Sequence, residues 1–347
     1  MKNRKREICT SGSVRDEAGQ PPHLLGRRAF LHLAAGAAAL PAMSRIAWAQ
    51  AYPTRPVRWI VGFAPGGGND IVARLMGQWL SERTGQQFII ENRPGAGTNI
   101  ATEAVVNASP DGYTLLLVGL PNASNASLYE KLNFNFIRDI APVAGIARGP
   151  QVMVVIPSVP AKTVPEFIAY AKANPGKVNL GSAGTGSVTH LAGELFKMKA
   201  GVNLVHVPFR GNGPALTAML SGQVEVQFPS VASSVEYIRT GKLRGLAVSG
   251  AMRSEVLPDL PSLGEFVPGY EITAWFGVGA PQGTPAEVIT KINKEITTGL
   301  ADPKMKARLA DFADVPMPMT PTEFGKLIAD ETEKWGNVIR VLNIKAE

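Results

Sequence analysis

The sequence predicts an α/β fold, because strand-like and helix-like segments alternate along nearly the whole chain. The first unit shows the pattern most clearly. An apolar, β-branched run at 57–63 precedes a glycine-rich turn, and apolar residues at helical spacing follow it at Ile71, Val72, Leu75 and Met76. A chain of 347 residues also has room for two domains of ordinary size.

Two glycine-rich loops between a strand and a helix predict an anion site. In the first, Gly66, Gly67 and Gly68 let the backbone approach a ligand closely. The helix behind it offers unpaired N–H groups and the positive end of its dipole. The second loop, 181–187, adds hydroxyls and further N–H groups. The alternative is that such turns merely join strand to helix. Two of them favour a site for a small carboxylate beyond the carboxyl ends of the strands.

Five polar side chains near these loops are further candidates. Arg210 is suited to pair with a ligand carboxylate in a bidentate manner, although most single arginines are solvated surface charges. Asn122 follows another strand end and offers an amide. Asp70 is stabilised by the helix dipole in the first turn, and a second role toward an amine-bearing ligand is open. His206 is interpreted as structural, whereas His190, at the start of a helix after a glycine loop, is a possible ligand contact.

Catalytic, cofactor and metal motifs are missing from the sequence. It contains neither G-x-S-x-G nor a nucleotide P-loop, and the three glycines lack the dinucleotide-binding spacing. Its histidines form no metal-ligand pattern. Cys9 is the only cysteine and precedes the predicted mature chain, so disulfides and cysteine catalysis are excluded there. We therefore predict no catalytic residue, no cofactor and no metal.

The N-terminus has the features of an export signal. Arg27 and Arg28 begin a twin-arginine motif, the apolar stretch 34–40 follows, and the small residues Ala47 and Ala49 suit a cleavage site. A transmembrane anchor is the alternative, but Pro41 and Arg45 interrupt the apolar run well short of the ~20 residues that a span needs. We predict a twin-arginine signal peptide at 1–49 that is cleaved, and a periplasmic mature protein.

The net charge argues against nucleic-acid binding. The formal charge of the whole chain is +7, but residues 1–49 hold eight basic and three acidic side chains. The remaining 27 basic and 25 acidic residues leave a net charge of +2. Such a balance supplies no broad basic field for a nucleic acid.

Three helix starts have the same pattern, in which a threonine is followed by a proline in the first turn and a glutamate. They begin at Thr163, Thr284 and Thr320. In each, the hydroxyl and the carboxylate are predicted to satisfy backbone donors that have no partner within the helix. We assign these residues no function.

Nine short stretches together resemble one family across roughly 52–344. They are YPTRP (52–56), FAPGGGND (63–70), ENRPGAG (91–97), PDGYTL (110–115), HLAGELF (190–196), GKLR (241–244), WFG (275–277), APQGTP (280–285) and WG (335–336). Their number and order resemble the solute-binding receptors of tripartite tricarboxylate transporters, also called Bug receptors.

The resemblance implies a two-domain periplasmic binding protein of type II-like architecture. Two mainly parallel sheets flanked by helices would enclose a ligand cleft, with a hinge between domain 1 (50–151 and 272–347) and domain 2 (152–271). Small organic anions would bind through backbone amides, hydroxyls and bridging water. The family's binding loops match Gly66, Gly67, Asp70, Ser182, Thr185 and Ser187. The implied partners are the membrane subunits of a transporter, or a sensor protein, with the mature receptor a monomer that binds no nucleic acid.

The chain departs from the family pattern at two places. Pro229 and Ser230 follow the strand-like 226–228, where an aspartate is common, and Arg210 replaces the usual lysine after Phe209 rather than tyrosine. Losing an acid and keeping a cation near the cleft should favour plain anions over amino-bearing ligands.

Together these interpretations predict a receptor that captures a small organic carboxylate and delivers it to a tripartite tricarboxylate-type transporter. The alternatives are a secreted α/β enzyme acting on a small acid, and a ligand sensor without a transport partner. The predicted ligand-binding residues are Phe63, Ala64, Gly66, Gly67, Asn69, Asp70, Asn122, Ser182, Gly184, Thr185, Ser187, His190, Arg210 and Ser230.

Overall fold

Two mixed β-sheets, each flanked by helices, form the framework of the protein. The structure is a computed structural model that describes residues 52–346, apart from the side chain of Leu342. The predicted signal peptide lies outside the described residues. Within the described part of the chain, no helix combines the length and the apolar character needed to cross a membrane.

The first sheet has six strands in the order β11-β4-β10-β3-β1-β2. These strands are β1 (Val57–Val61), β2 (Phe88–Asn92), β3 (Thr114–Gly119), β4 (Ile140–Pro150), β10 (Thr273–Pro281) and β11 (Val315–Pro316). The helices that accompany it are α1 (Gly68–Thr84), α2 (Asn99–Val106), α3 (Leu120–Leu128), α4 (Phe136–Asp139), α9 (Ala286–Ala301), α10 (Pro303–Ala310) and α11 (Pro321–Leu342), with a 3₁₀ turn at Ala96–Thr98.

The second sheet has five strands in the order β7-β6-β8-β5-β9. They are β5 (Val152–Val155), β6 (Asn179–Ser182), β7 (Val205–Pro208), β8 (Val226–Gln227) and β9 (Arg244–Val248). Its helices are α5 (Val164–Ala173), α6 (Val188–Ala200), α7 (Asn212–Leu220) and α8 (Val231–Arg239), with a 3₁₀ turn at Leu263–Glu265.

The two-domain α/β class is confirmed, but the expectation of mainly parallel sheets is wrong. Strand β1 pairs with β2 and β3 in parallel, whereas β10 is antiparallel to both β3 and β4. In the second sheet β6 has two parallel neighbours and β5 has two antiparallel ones. The physical reason is the connection between the sheets. The chain leaves the first sheet along β4 and returns along β10, so these neighbours must run in opposite directions.

The two connections between the sheets are hydrogen-bonded to each other through Ser249. The Ser249 hydroxyl donates to the carbonyl oxygen of Ile272 over 2.6 Å and accepts the backbone N–H of Gln151 over 2.7 Å. The Ser249 N–H donates to the Gln151 carbonyl oxygen over 2.8 Å. One side chain thus joins the outgoing segment to the returning one. The predicted domain boundaries at 151 and 272 lie beside this junction and stay a prediction.

Aromatic and aliphatic side chains are buried on both sheets, and one of the buried clusters includes residues of both. Trp59 of β1 and Met76 of α1 are fully enclosed in the first sheet's core. Under the second sheet, Phe196 of α6 packs against Phe167, Phe228 and Tyr270 with ring centroids 5.7 to 6.4 Å apart. Burial of rings of this size contributes on the order of 2 to 3 kcal/mol each. The helices are therefore held rigidly against their sheets.

Candidate functional site

Five helices begin at one small cavity between the two sheets. Each follows directly on a strand: α1 on β1, α3 on β3, α6 on β6, α7 on β7 and α8 on β8. The cavity has a volume of about 30 Å³. Its lining residues are Phe63, Gly68, Asn69, Gly119, Leu120, Pro121, Gln151, Ala183, Ser187, Val188, Thr189, Asn212, Ser230, Ala274, Trp275 and Phe276. The cavity therefore lies where ligands bind in open α/β sheets, beyond the carboxyl ends of the strands.

The helix starts at the cavity use cap residues that leave backbone donors near its wall. Ser187 is the N-cap of α6, and its hydroxyl accepts the N–H of His190 over 3.3 Å. Gly67 and Gly119 cap α1 and α3 and have no side chain to occupy the first N–H groups. Each helix start contributes a partial positive charge of about half an elementary charge. Five such ends at one cavity make it favourable for an anion.

The walls of the cavity are polar without being charged. Among the described residues that line it, none has an ionisable side chain. Amides come from Asn69, Gln151 and Asn212, and hydroxyls from Ser187 and Ser230. An anion at this place would be held by uncharged hydrogen-bond donors and helix dipoles.

Gln151 is a cavity residue that the sequence patterns do not reveal. Its side chain is only 2% exposed, and its Nε2 has no hydrogen-bond partner among the described residues. A buried amide without a partner costs about 1 to 3 kcal/mol. The residue stands in an apolar stretch between β4 and β5, so no local motif marks it. Only the crossing of the chain between the sheets brings it to the cavity.

Backbone contacts close the seam between the two domains beside the cavity. The N–H of Ala64 donates to the carbonyl oxygen of Arg210 over 3.0 Å. Gly211 (φ +147°) faces Ala64, and a Cβ there would lie 2.9 Å from the Ala64 nitrogen. A Cβ on Gly213 would clash with the carbonyl oxygen of Pro65. Glycine is therefore required on this side, because only bare backbone fits so close to the opposite loop.

The predicted ligand residues fall into four groups. Four of them line the cavity: Phe63, Asn69, Ser187 and Ser230. Ala64, Gly66 and Gly67 lie at the seam, where Gly66 and Gly67 face Gly213 and Asn212. Gly184, Thr185 and Arg210 line a second pocket, described below. The remaining four, Asp70, Asn122, Ser182 and His190, lie behind the loops and hold them in place.

Asp70 stabilises the first glycine loop. Its carboxylate accepts hydrogen bonds from the Gly66 N–H (3.1 Å), from Arg74 (3.0 Å) and from the Asn92 amide (3.0 Å). Burial alone would raise the pKa of Asp70, but these hydrogen bonds and the Arg74 charge lower it below its usual value. The carboxylate is ionised and fully used within domain 1.

Asn122 has a similar structural role at the start of α3. Its Oδ1 accepts the Gly119 N–H over 2.9 Å, and its Nδ2 donates to the hydroxyls of Thr98 (3.2 Å) and Thr102 (2.9 Å). These three bonds fix the turn between β3 and α3 and so position the Gly119 side of the cavity.

Two histidines and Ser182 support the second glycine loop. Ser182 Oγ lies 2.6 Å from His206 Nε2 and accepts the Gly184 N–H over 3.1 Å. His190 Nδ1 accepts the Gly186 N–H over 3.1 Å. Burial, and then the neighbouring His206 and Lys197, lower the pKa of His190 to about 3; burial and Lys197 lower that of His206 to about 4. Both rings are therefore neutral at physiological pH. His206 accordingly contacts its own scaffold, in agreement with its interpretation as a structural residue.

A second, larger pocket of about 440 Å³ adjoins the cavity, and we call it the outer pocket. Phe63 and Ala183 line both spaces. Its other lining residues are Gly62, Pro94, Gly95, Ala96, Gly97, Thr98, Ile100, Tyr129, Gly184, Thr185, Pro208, Phe209 and Arg210. It is thus mostly apolar, with one guanidinium at its wall.

The chain is similar to known receptors over most of its length. The model of the tripartite tricarboxylate transporter family receptor matches residues 72–344. Protein BugT of Bordetella pertussis is 34% identical over 300 residues, which cover 86% of this chain and 92% of BugT.

Two solved structures share the fold at a similar level of identity. R. palustris Rpa4515 with adipate is 34% identical with a TM-score of 0.83, covering 85% of this chain and 100% of that one. MatC from Rhodopseudomonas palustris with bound malate is 33% identical with a TM-score of 0.79, covering 83% of this chain and 100% of that one. The chain therefore belongs to the family of tripartite tricarboxylate transporter receptors, to which the Bug proteins also belong.

Proposed function

We propose that the protein is a periplasmic receptor that captures a small organic carboxylate in the cavity between its two domains. The observation that carries the proposal is the convergence of five helix N-termini on one cavity, where none of the described lining residues has an ionisable side chain. Two related structures contain dicarboxylates, adipate in Rpa4515 and malate in MatC. The ligand class that we propose for this chain agrees with theirs.

The unpartnered amide of Gln151 supports a ligand that accepts hydrogen bonds. Its buried Nε2 supplies donors that no described residue uses. A carboxylate oxygen would satisfy them and remove the cost of the orphaned group. Ser187 and Ser230 add hydroxyl donors from domain 2, while Asn69 adds an amide from domain 1. The ligand would then contact both domains and favour the state in which the seam is closed.

Ser230 supports a preference for plain carboxylates over amine-bearing ones. Ser230 lines the cavity, and together with Pro229 it follows strand-like 226–228, after which the family pattern commonly has an aspartate. Among the described residues that line the cavity, none has a carboxylate side chain. An ammonium group in the cavity would face helix N-termini and amide donors without a counter-charge. We therefore propose that this receptor discriminates against zwitterionic acids.

Closure of the domains would present the bound state to a membrane partner. In hinge-closing binding proteins, two rigid domains move around a few connecting residues. The hydrogen bonds of Ser249 with Gln151 and Ile272 mark these connections here. We propose delivery to the membrane subunits of a tripartite transporter, or to a sensor, after export and cleavage near residue 49. The ligand would leave chemically unchanged from a monomeric receptor.

The decisive test compares native and denaturing mass spectrometry of the protein purified from the periplasm. We expect a small carboxylic acid that is bound under native conditions and released intact on denaturation. Titration calorimetry with malate, adipate and aspartate should then show binding of the first two and weaker binding of the third. Failure of every carboxylate to bind would overturn the proposal. Recovery of a chemically altered acid would favour an enzyme instead.

A further inference from the structure

The outer pocket contributes a second binding position for the same ligand. We infer that it holds the distal end of an elongated dicarboxylate, with the apolar middle of the ligand against its walls and the far carboxylate at Arg210. This inference rests on the proposed function, since the near carboxylate is placed in the cavity between the helix N-termini. Beyond the proposed function, the inference specifies that the ligand is elongated and that it has a second carboxylate.

The first step of the argument is size. The cavity has a volume of about 30 Å³, whereas one water needs roughly 10 to 15 Å³ on this measure. The space therefore matches one carboxylate group rather than a whole diacid. Any longer ligand must extend into neighbouring space. The outer pocket offers about 440 Å³ and is adjacent, because Phe63 and Ala183 form part of the wall of both.

The second step is the chemistry of the walls. The lining of the outer pocket includes Pro94, Ile100 and Phe209 beside Arg210. Ile100 is 51% exposed and so offers apolar surface to a ligand in this pocket. A methylene chain would cover these residues, and each buried CH₂ would strengthen binding about fourfold.

The third step is the charge at the far end. Arg210 is the only arginine or lysine, and no aspartate or glutamate accompanies it, among the described residues that line the pocket. None of the ion pairs in the described part of the chain includes it. The Arg210 carbonyl oxygen accepts the N–H of Ala64 across the seam, and this hydrogen bond fixes the backbone of Arg210 at the wall of the outer pocket. A guanidinium in this setting suits bidentate pairing with a carboxylate.

The test is titration calorimetry with two matched ligand series. The dicarboxylates are succinate, adipate and sebacate; the monocarboxylates are butyrate, hexanoate and decanoate. For the unmodified protein we expect the second carboxylate to strengthen binding of the long acids at least tenfold and to change that of the shortest much less. Arg210→Gln should remove this advantage and leave butyrate and succinate nearly unchanged. Arg210→Lys should restore part of it, since lysine keeps the charge but not the fork.

Substitutions that place a negative or a positive charge at Ile100 provide an independent check. Ile100→Glu should bind the long diacids at least fivefold more weakly than Ile100→Lys does. The two variants should bind each monoacid about equally, because both lose the same apolar contact. Ile100 and Arg210 are both exposed, so neither change disturbs the core. Arg253→Gln is the matched control, because Arg253 is exposed, is paired with Glu265 and lies outside both spaces.

The outcomes separate this inference from the proposed function. If short acids bind but Arg210→Gln weakens all ligands equally, or none, the outer pocket has no such role while the receptor proposal stands. If the second carboxylate strengthens binding by the same factor at every chain length, the inference is also wrong, and the receptor proposal again stands. If no acid of either series binds the unmodified protein, both proposals are wrong.

Discussion

The imidazole rings of His190 and His206 stack face to face, with centroids 3.9 Å apart and planes 18° from parallel. Between them they bond Gly186 and Ser182, the two ends of the loop that brings α6 to the cavity. A stack of two neutral rings is compatible with this burial, whereas two imidazolium ions at that distance would repel strongly. The conformation of the second glycine loop therefore depends on two histidines that must both stay neutral.

Acid should consequently destabilise the protein in a defined pH window. The folded pKa values of about 3 and 4 lie below the unfolded value near 6.5. Stability from the pair is complete well above pH 6.5 and decreases as the pH falls toward 3, because the unfolded chain takes up protons first. At pH 5 the loss is on the order of 2 kcal/mol for each ring. Urea unfolding at pH 7.5 and pH 5 measures it, and His206→Gln should reduce the difference by about half. If both proteins lost the same unfolding free energy between pH 7.5 and pH 5, this assignment would be wrong.

Asp314 should impose the opposite dependence. Its side chain is 7% exposed beside Gly149, and burial raises its pKa to about 7. Because the unfolded carboxyl titrates near 4, the folded state binds the extra proton between pH 4 and 7, and stability falls as the pH rises through that range. Asp314→Asn should therefore raise the unfolding free energy by a few kcal/mol at pH 8 and leave it nearly unchanged at pH 4. Thermal unfolding at both values checks this. Asp330→Asn, at an exposed residue, is the control.

Gln151→Met should have opposite effects on stability and on binding. Removing the unpartnered buried amide should stabilise the ligand-free protein by about 1 kcal/mol, while the loss of its donors should weaken carboxylate binding about tenfold or more. Differential scanning calorimetry and titration with malate or adipate measure the two effects. The exposed Gln223→Met should change neither. A variant that is less stable and binds normally would place Gln151 in a purely structural role.

Gly213→Ala should hinder closure without weakening the fold. Alanine is favoured over glycine in a helix by about 1 kcal/mol, so α7 itself should be no less stable. Its Cβ would clash with the Pro65 carbonyl oxygen across the seam, and we expect at least a tenfold loss of affinity. Small-angle scattering with saturating ligand should then report a larger radius of gyration than for the unmodified protein. Thr217→Ala, exposed on the same helix, serves as the control. Unchanged affinity would mean that the seam does not close on the ligand in this way.

Ser230→Asp should shift the ligand preference toward amine-bearing acids. The new carboxylate would lie in the cavity at the N-cap of α8, where aspartate is a favourable residue, so folding should be preserved. Repulsion should weaken malate binding at least tenfold, and binding of aspartate should improve relative to it. Ser230→Asn provides the uncharged control of equal size. Equal losses for both acids would show that Ser230 does not set the selectivity.

Much of the fold is predictable from local patterns, because strand, loop and helix signals lie within a few residues. Thr163 and Thr320 cap their helices as predicted, each accepting an N–H over 3.3 Å. The prediction of a cap at Thr284, from the same motif, is wrong. That hydroxyl donates to the Pro281 carbonyl oxygen over 2.7 Å, and the helix begins only after Pro285. The local sequence allows both uses of the hydroxyl.

The site is predictable only in part, because its second half depends on the crossing between sheets. The glycine loops and Ser187 can be identified because glycine and cap residues have local meaning. Gln151 and Trp275 reach the cavity through strand pairing with partners more than 70 residues away, as in Gln151 with Ser230 and Trp275 with Arg148. The antiparallel direction of β10 likewise depends on its pairing with strands that are distant in the sequence. No short-range pattern reports such pairings.

The seam between Ala64 and Arg210 is made of main-chain atoms, and this separates two properties of the receptor. The contact between the two domains is made by peptide groups and by glycines, which have no side chain. Substitutions in the lining of the cavity leave this contact unchanged. The ligand preference that we propose depends instead on exchangeable side chains such as Ser230 and Arg210. Evolution can therefore change the ligand by replacing one or two lining side chains, while the closed arrangement of the domains that a membrane partner would recognise stays the same.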